Sequence, residues 1–132
     1  MWGKVKLNKA DIKFSLYVRE KANWKCDFCH KDYSQNHRGL QVSHYWSRRH
    51  ESTRYDEENC NAFCIYHHHY LGHGEGRDEY RAFKIKELGK SGFDLLDYRA
   101  HQYCKKDRKM QYLKWKLAYE KLIQKSIDKY YK

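Results

Sequence analysis

The chain has 132 residues, a formal net charge of +11 and a pI near 9.4. This length predicts one small domain, which we divide into a main part, residues 1–104, and a basic helical segment, residues 105–132. No stretch approaches the apolar length of a membrane span and no secretory signal is visible, so we expect a cytoplasmic protein with reduced thiols. The positive charge indicates a polyanionic partner such as nucleic acid.

The first part of the chain predicts a weak strand or loose arm over residues 2–7, followed by a helix from Lys9 to about Ala22. Asn8 is a good N-cap, and Asp11 three positions later makes an imperfect capping box. The apolar residues recur at helical spacing and predict a broad buried face. They are Ile12, Phe14, Leu16 and Val18.

Two pairs of metal-binding residue types follow. Cys26-x-x-Cys29 lies in a predicted hairpin over residues 24–33, and Cys64-x-x-His67 has the same spacing. Three thiolates and one imidazole are the ligands of a closed tetrahedral structural zinc site. A redox pair is disfavoured because the lysine-rich flanks do not resemble a strand followed by a helix. The five cysteines also disfavour a disulfide framework, since one would be left over.

The identity of the fourth ligand and the role of a nearby cysteine are left open by the sequence. His67, His68 and His69 are consecutive, so the register of the fourth ligand is not fixed by the spacing. Cys60 and Cys104 are expected to be ordinary buried or half-buried cysteines, although Cys60 lies close enough to the second pair to be a spare ligand.

Two short strands are predicted around a long polar loop. Residues 40–44 alternate and predict a strand that ends at His44, with Leu40 and Val42 facing inward. A second strand is expected over residues 59–63, followed by a helix over residues 65–71 that ends at Gly72. The loop of residues 46–58 contains three arginines that could contact phosphates on either side of a bond. They are Arg48, Arg49 and Arg54.

The remainder of the chain is predicted to be helical. One helix covers residues 78–88 and ends at Gly89, and another covers residues 93–102. The final segment, residues 105–132, carries ten of the lysines and arginines against three acids, with an apolar and aromatic face. We interpret it as a helix that contacts a DNA backbone, with a solvated face or a dimer arm as alternatives. The lysines expected to contact DNA are Lys114, Lys121 and Lys125.

The order of these motifs resembles that of HNH (ββα-metal) nucleases and, more narrowly, of the phage NinG (Rap) recombination nuclease family. The resemblance covers about the first three quarters of the chain. It rests on the segments Phe14-Ser15-x-Tyr17-x-Arg19, Cys26-x-x-Cys29, Ser43-His44-Tyr45, Glu58-Asn59 and Cys64-x-x-His67 with Tyr70-Leu71.

This resemblance implies an α+β fold: a zinc-stabilised ββα-metal core with additional helices and a long C-terminal basic amphipathic helix. It also implies hydrolysis of DNA phosphodiester bonds, of duplex or branched recombination intermediates, in the host cell of a phage. His44 would be the general base, and His68 with Asn59 would hold a catalytic Mg²⁺ or Mn²⁺. Zinc would be structural.

The sequence departs from the family pattern just before the base. Many HNH enzymes have an acidic residue or histidine there, whereas this chain has Ser43, a poor metal ligand. Glu58, His69 and His73 are candidates for a replacement ligand. The departure keeps two other functions open: a zinc-dependent DNA-binding module without catalysis, and a zinc domain that binds proteins.

Overall fold

The computed structural model describes residues 5–131, so Met1 to Lys4 and Lys132 lie outside the described residues. The strand or arm predicted over residues 2–7 falls partly outside them, and residues 5–7 form no helix or strand. Over these described residues the fold is α+β, with four α-helices and one two-stranded antiparallel sheet. Within residues 5–131, no helix has both the length and the apolar character that a membrane crossing requires.

Helix α1 (Lys9–Lys21) begins with the capping box that the sequence predicts. The side chain of Asn8 accepts a hydrogen bond from the backbone N–H of Asp11, and the Asp11 carboxylate accepts one from the N–H of Asn8. The buried face of α1 is centred on Ala10, Asp11 and Phe14. The prediction that Ile12 faces inward was wrong, because its side chain points away from this face and is 56% exposed.

A buried ion pair joins α1 to the long polar loop. Arg54 donates from Nε to Oδ1 of Asp11 at 2.9 Å and from Nη2 to Oδ2 at 2.6 Å. Only 6% of the Arg54 side chain and 4% of the Asp11 side chain are exposed. Although burial raises the pKa of Asp11, hydrogen bonds from Arg54 hold it below its usual value. The pair is therefore charged, and two parallel donors on one carboxylate fix the loop against α1.

Strands β1 (Leu40–His44) and β2 (Cys60–Cys64) form an antiparallel hairpin close to the predicted positions. Leu40 pairs with Cys64 at one end, and His44 pairs with Cys60 at the other. Leu40 and Val42 are buried, as expected, and every residue of β2 is buried. The sheet thus carries His44 at the same end as the long loop and places Cys64 at the opposite end.

The knuckle between α1 and β1 is held by a bridge between Lys25 and Asp32. The backbone N–H of Cys26 donates to the carbonyl of Lys31 at 3.0 Å. The N–H of Asp27 donates to the carbonyl of Ala62 at 2.7 Å, which attaches the knuckle directly to β2. Cys26 is therefore fixed beside the end of the hairpin that carries Cys64.

The segment after β2 contains an irregular helix. Helix α2 (Ile65–His67) continues as a π-helical segment (His68–His73), whereas the sequence predicts one regular helix ending at Gly72. A π-helix bonds residues five apart, so it brings His68 and His73 side by side. Their ring centroids are 4.8 Å apart.

Helix α3 (Arg77–Ala100) is broken at Gly89, where the sequence predicts the end of one helix and the approach to another. Gly89 has φ 76° and ψ 161°, a conformation that is essentially restricted to glycine. Tyr80 faces inward before the break, and Phe93 and Leu96 do so after it. The two halves of α3 therefore contribute to the same hydrophobic core as the hairpin.

Helix α4 (Arg108–Tyr130) packs along α1 through aromatic contacts. The ring of Trp115 lies 4.8 Å from that of Phe14 and 4.9 Å from that of Tyr17, measured between centroids. Trp115 is the one buried residue of α4, and Ile127 and Tyr130 near its end are exposed. The predicted apolar face is therefore covered around Trp115 and open towards the C-terminus.

Candidate metal centre and histidine cleft

Four predicted zinc ligands meet at one end of the hairpin. Cys26 and Cys29 come from the knuckle, Cys64 ends β2, and His67 lies in α2. One ligand atom from each side chain lies within 4.8 Å of all the others. Three thiols and an imidazole in this arrangement are the donor set that tetrahedral zinc prefers, so the cluster could hold a structural zinc ion.

The geometry resolves the register of the histidine run. Nδ1 of His67 is 3.1 Å from Sγ of Cys64 and 3.8 Å from Sγ of Cys26. His68 and His69 are not part of the cluster. Cys60 is also excluded, contrary to its role as a spare ligand, because it lies in the separate core around Phe14 and Trp115.

The protonation of the thiols in this cluster depends on whether a metal ion is bound. Burial raises the pKa of the Cys26 thiol to about 11, against the opposing effect of backbone hydrogen bonds to its sulfur. A metal ion removes such a proton outright because a thiolate is the ligand form. Protons and metal therefore compete for this site.

His44 has a defined tautomer at the other end of the hairpin. Its Nε2 is 3.0 Å from the backbone carbonyl of Arg54. Because a carbonyl only accepts, Nε2 carries the proton and Nδ1 carries the lone pair. Nδ1 is buried and has no hydrogen-bond partner within residues 5–131. Burial, together with the nearby charge of Arg48, lowers the pKa of His44 to about 3, so the ring is neutral at physiological pH.

Asn59 has a different role from the predicted one. It is fully buried, and its amide nitrogen donates to the carbonyls of Trp46 at 2.8 Å and Thr53 at 3.1 Å. Its amide oxygen accepts from the backbone N–H of Trp46 at 2.8 Å. These bonds join the two ends of the polar loop. The expectation that Asn59 holds a cation was therefore wrong, because its polar atoms are already bonded to the backbone.

His68 is oriented by the residue that departs from the family pattern. The hydroxyl of Ser43 makes a short hydrogen bond with Nδ1 of His68. When the other ring nitrogen of a histidine is anchored in this way, its free nitrogen is directed for a ligand. Burial and the neighbouring His73 and His69 lower the pKa of His68 to about 4. Ser43 thus acts on His68 as a hydrogen-bond partner.

A cleft of about 320 Å³ contains both His44 and His68. Trp46, Arg48, His73 and Arg77 are among the other residues that line it. Its lining includes no carboxylate from the part of the chain that the structure describes. The cleft therefore combines the neutral imidazoles of His44 and His68 with positive guanidinium groups, an environment that favours an anion over a hard cation.

The predicted phosphate-contacting arginines have separate locations. Arg48 lines the cleft, and Arg49 is exposed on the loop. Arg54 was wrongly assigned to DNA binding, because its guanidinium is buried against Asp11. Glu58 lies outside the cleft lining and accepts a hydrogen bond from Arg99, whereas His73 lies in the lining.

The lysines predicted to contact DNA lie along α4, away from the cleft. They are Lys114, Lys121 and Lys125, and all three are exposed. The sequence patterns did not identify Trp46, which follows His44 and Tyr45 and lines the cleft. The signal was an indole in a polar loop, next to arginines, where a donor could reach a ligand.

Comparison of the chain with models of protein families, with curated proteins and with solved structures gives no match. The fold and the site geometry therefore define this molecule as an α+β protein with a Cys₃His cluster that could bind zinc.

Proposed function

We propose that the protein is a metal-dependent endonuclease that hydrolyses DNA phosphodiester bonds. The observation that carries this proposal is the state of His44: neutral, with its proton fixed on Nε2 by the Arg54 carbonyl and an unpartnered lone pair on Nδ1. A general base needs this arrangement, because the lone pair must be free and the ring must be held still.

In the proposed reaction, Nδ1 of His44 accepts a proton from a water molecule that attacks phosphorus. Arg48 and Arg77 supply positive charge in the same cleft, where a phosphodiester would need it. The low pKa of His44 keeps the ring unprotonated before the reaction but makes it a weak base. Proton transfer would therefore be helped by the negative charge of a bound phosphate.

His68 is the residue that would hold the catalytic cation in the cleft. A bound cation would stabilise negative charge on the phosphate and on the leaving oxygen. The anchored Nδ1 of His68 leaves Nε2 for this role. Imidazole suits Zn²⁺, Fe²⁺ or Ni²⁺, whereas Mg²⁺ and Mn²⁺ prefer carboxylate and water oxygens. Binding of Mg²⁺ or Mn²⁺ beside His68 would therefore depend on oxygens of the phosphate and of water. Zinc in the Cys₃His cluster would have a structural role only.

DNA as the substrate is supported by the net charge of +11 and the exposed lysines of α4. Branched recombination intermediates remain the substrate that the resemblance to the NinG family suggests. The homodimer and the phage host setting are also proposals that rest on the sequence.

The test is cleavage of duplex, single-stranded and four-way-junction DNA by zinc-loaded protein in Mg²⁺, Mn²⁺ or EDTA. We expect metal-dependent cleavage that His44→Ala and His68→Ala abolish. His69→Ala is the matched control, because His69 is adjacent but exposed, and it should retain activity. Cleavage by a folded His44→Ala protein would refute the mechanism.

A DNA-binding module without catalysis is the second candidate, and the absence of a carboxylate from the described cleft lining favours it. It predicts DNA binding that is independent of divalent ions and strongly dependent on salt, without cleavage in any metal. The same assay, combined with a binding measurement, separates the two functions.

A further inference from the structure

Within residues 5–131, three buried side-chain nitrogen atoms have no hydrogen-bond partner. They are Nδ1 of His44, Nε1 of Trp46 and Nε of Arg48. Buried polar groups are nearly always paired, because leaving one unpaired costs its full desolvation. All three residues line the same cleft. Their coincidence in one place indicates that a ligand supplies the missing partners.

The indole of Trp46 differs from the other indoles that the structure describes. Nε1 of Trp24 donates to Oε2 of Glu20 at 2.5 Å, and Nε1 of Trp115 donates to Oε1 of Gln111 at 3.0 Å. In both cases the side chain that accepts the hydrogen bond lies four residues earlier in the chain. Within residues 5–131, Nε1 of Trp46 has no such acceptor, and Trp46 is one of the residues that line the cleft.

The position of Trp46 is nevertheless fixed. Its backbone N–H and carbonyl are both bonded to the buried side chain of Asn59 at 2.8 Å. Its ring packs edge-on against Tyr45 at a centroid distance of 5.4 Å and against His101 at 4.9 Å. A donor held in place before a ligand arrives loses little freedom on binding, which favours specific recognition.

Arg48 is a second donor in the cleft, and it carries a positive charge. Among residues 5–131, no carboxylate forms an ion pair with it. Asp11, the carboxylate that raises the pKa of Arg48, is already bonded to both Nε and Nη2 of Arg54. Burial lowers the pKa of Arg48, which is the expected effect on a positive group without a counter-ion.

The chemistry of the missing partner follows from these groups. Two N–H donors, one of them charged, bind an acceptor with negative charge more strongly than a neutral one, and the described lining provides no carboxylate. The lone pair of His44 instead requires a donor. A phosphate oxygen satisfies the first requirement and a water molecule satisfies the second.

We propose that Trp46 Nε1 and Arg48 Nε form a two-donor cradle for a phosphate oxygen, next to the water that His44 activates. The identity of this anion as a phosphodiester rests on the proposed nuclease function. The existence of an anion site does not, because it follows from the donors and the charge of the cleft. Trp46 thereby becomes a substrate-binding residue.

The experiment is a titration of the zinc-loaded full chain with inorganic phosphate, followed by ¹H–¹⁵N correlation spectra of the indole groups. Chloride at matched ionic strength is the reference. The signal of Trp46, identified by its loss in Trp46→Phe, should shift and saturate. The signals of Trp24 and Trp115 should stay in place, because their N–H groups are already bonded.

Variants add a second measurement on folded protein. Trp46→Phe keeps the aromatic packing and removes one donor, and Arg48→Lys keeps the charge and removes Nε. We expect each to weaken phosphate binding about tenfold. Trp24→Phe, which removes an indole donor that is bonded to Glu20, should leave phosphate binding unchanged.

The outcomes distinguish this proposal from the nuclease proposal. A Trp46 signal that does not respond to phosphate, or indole signals that all shift alike, would overturn the cradle even if the protein cleaves DNA. A saturable Trp46 shift in a protein that cleaves no DNA would support the anion site and refute the nuclease.

Discussion

The backbone carbonyl of Arg54 lies 3.0 Å from Nε2 of His44. This contact fixes the tautomer of the histidine, and the side chain of the same arginine is bonded to Asp11 on α1. The ion pair that stabilises the loop therefore also positions the carbonyl that orients His44. Arg54 affects the cleft through the backbone, although its guanidinium does not line it.

The low pKa of His44 predicts a pH-dependent stability. Its pKa is about 3 in the folded protein and about 6.5 when unfolded, and the charged groups that affect it are Arg48, Arg54 and Asp11. Below pH 6.5 the unfolded chain takes up a proton that the folded chain does not, so stability falls as the pH falls from about 6.5 towards 3. By pH 5 this contribution is about 2 kcal/mol.

The measurement is urea unfolding of the wild-type protein and His44→Gln at pH 8 and pH 5. The decrease in unfolding free energy should be about 2 kcal/mol smaller in the variant, because glutamine does not titrate. Acid effects on the Cys₃His cluster are common to both proteins and cancel in the comparison. Equal decreases would mean that His44 titrates normally in the folded protein.

The buried pair of Asp11 and Arg54 predicts a large effect of a small substitution. Asp11→Asn keeps the size of the side chain and an oxygen that can accept the capping hydrogen bond, but it leaves the Arg54 charge without its main partner. We expect a loss of about 3–5 kcal/mol in the free energy of unfolding.

Chemical denaturation in the presence of zinc would measure this loss. The control is Asp94→Asn, which breaks an exposed pair with Lys90 in α3 and should cost less than about 1 kcal/mol. Similar small losses for both variants would show that the Arg54–Asp11 pair contributes no more than a surface pair.

The Cys₃His cluster predicts that metal and folding are coupled. Cys29→Ser removes one ligand, and we expect loss of stoichiometric zinc and at least partial unfolding, because zinc binding contributes to folding free energy. Cys104→Ser is the control, since Cys104 is an exposed cysteine outside the cluster. Zinc content by atomic absorption and circular dichroism would be measured together. Full zinc content in folded Cys29→Ser would refute the assignment.

The exposed lysines of α4 predict a salt-dependent DNA affinity. Replacing Lys114, Lys121 and Lys125 with glutamine should weaken binding at every sequence and reduce the slope of log K against log salt by about 2–3. The control replaces three exposed lysines distant in sequence from α4: Lys25, Lys31 and Lys86. Equal reductions for the two triple variants would show that α4 has no special role.

The sequence predicts local features of this protein well. The capping box of α1, the strand that ends at His44 and the break at Gly89 each depend on residues within a few positions of one another. The four members of the Cys₃His cluster were also predictable, because two short spacings require little knowledge of the fold between them.

The wrong predictions concern residues whose partners are distant in the sequence, or side chains that can make more than one kind of contact. Arg54 was predicted to contact DNA because it lies in a polar loop. Its actual partner, Asp11, lies 43 residues earlier in the chain, so the local sequence does not reveal the ion pair. The amide of Asn59 can bind a cation or a backbone, and only the folded loop decides between them. The π-helical segment was also missed, since no apolar period distinguishes it from an α-helix.

The Cys₃His cluster joins Cys26 to Cys64, so an ion bound there closes a ring of about 40 residues. The ring contains both strands, the polar loop, His44 and the two donors of the cleft. By the entropy of a cross-linked chain, closing a loop of this length favours the folded state by about 4 kcal/mol. The proposed base thus lies on a metal-closed ring, and loss of the ion would release both ends of the segment that shapes the cleft.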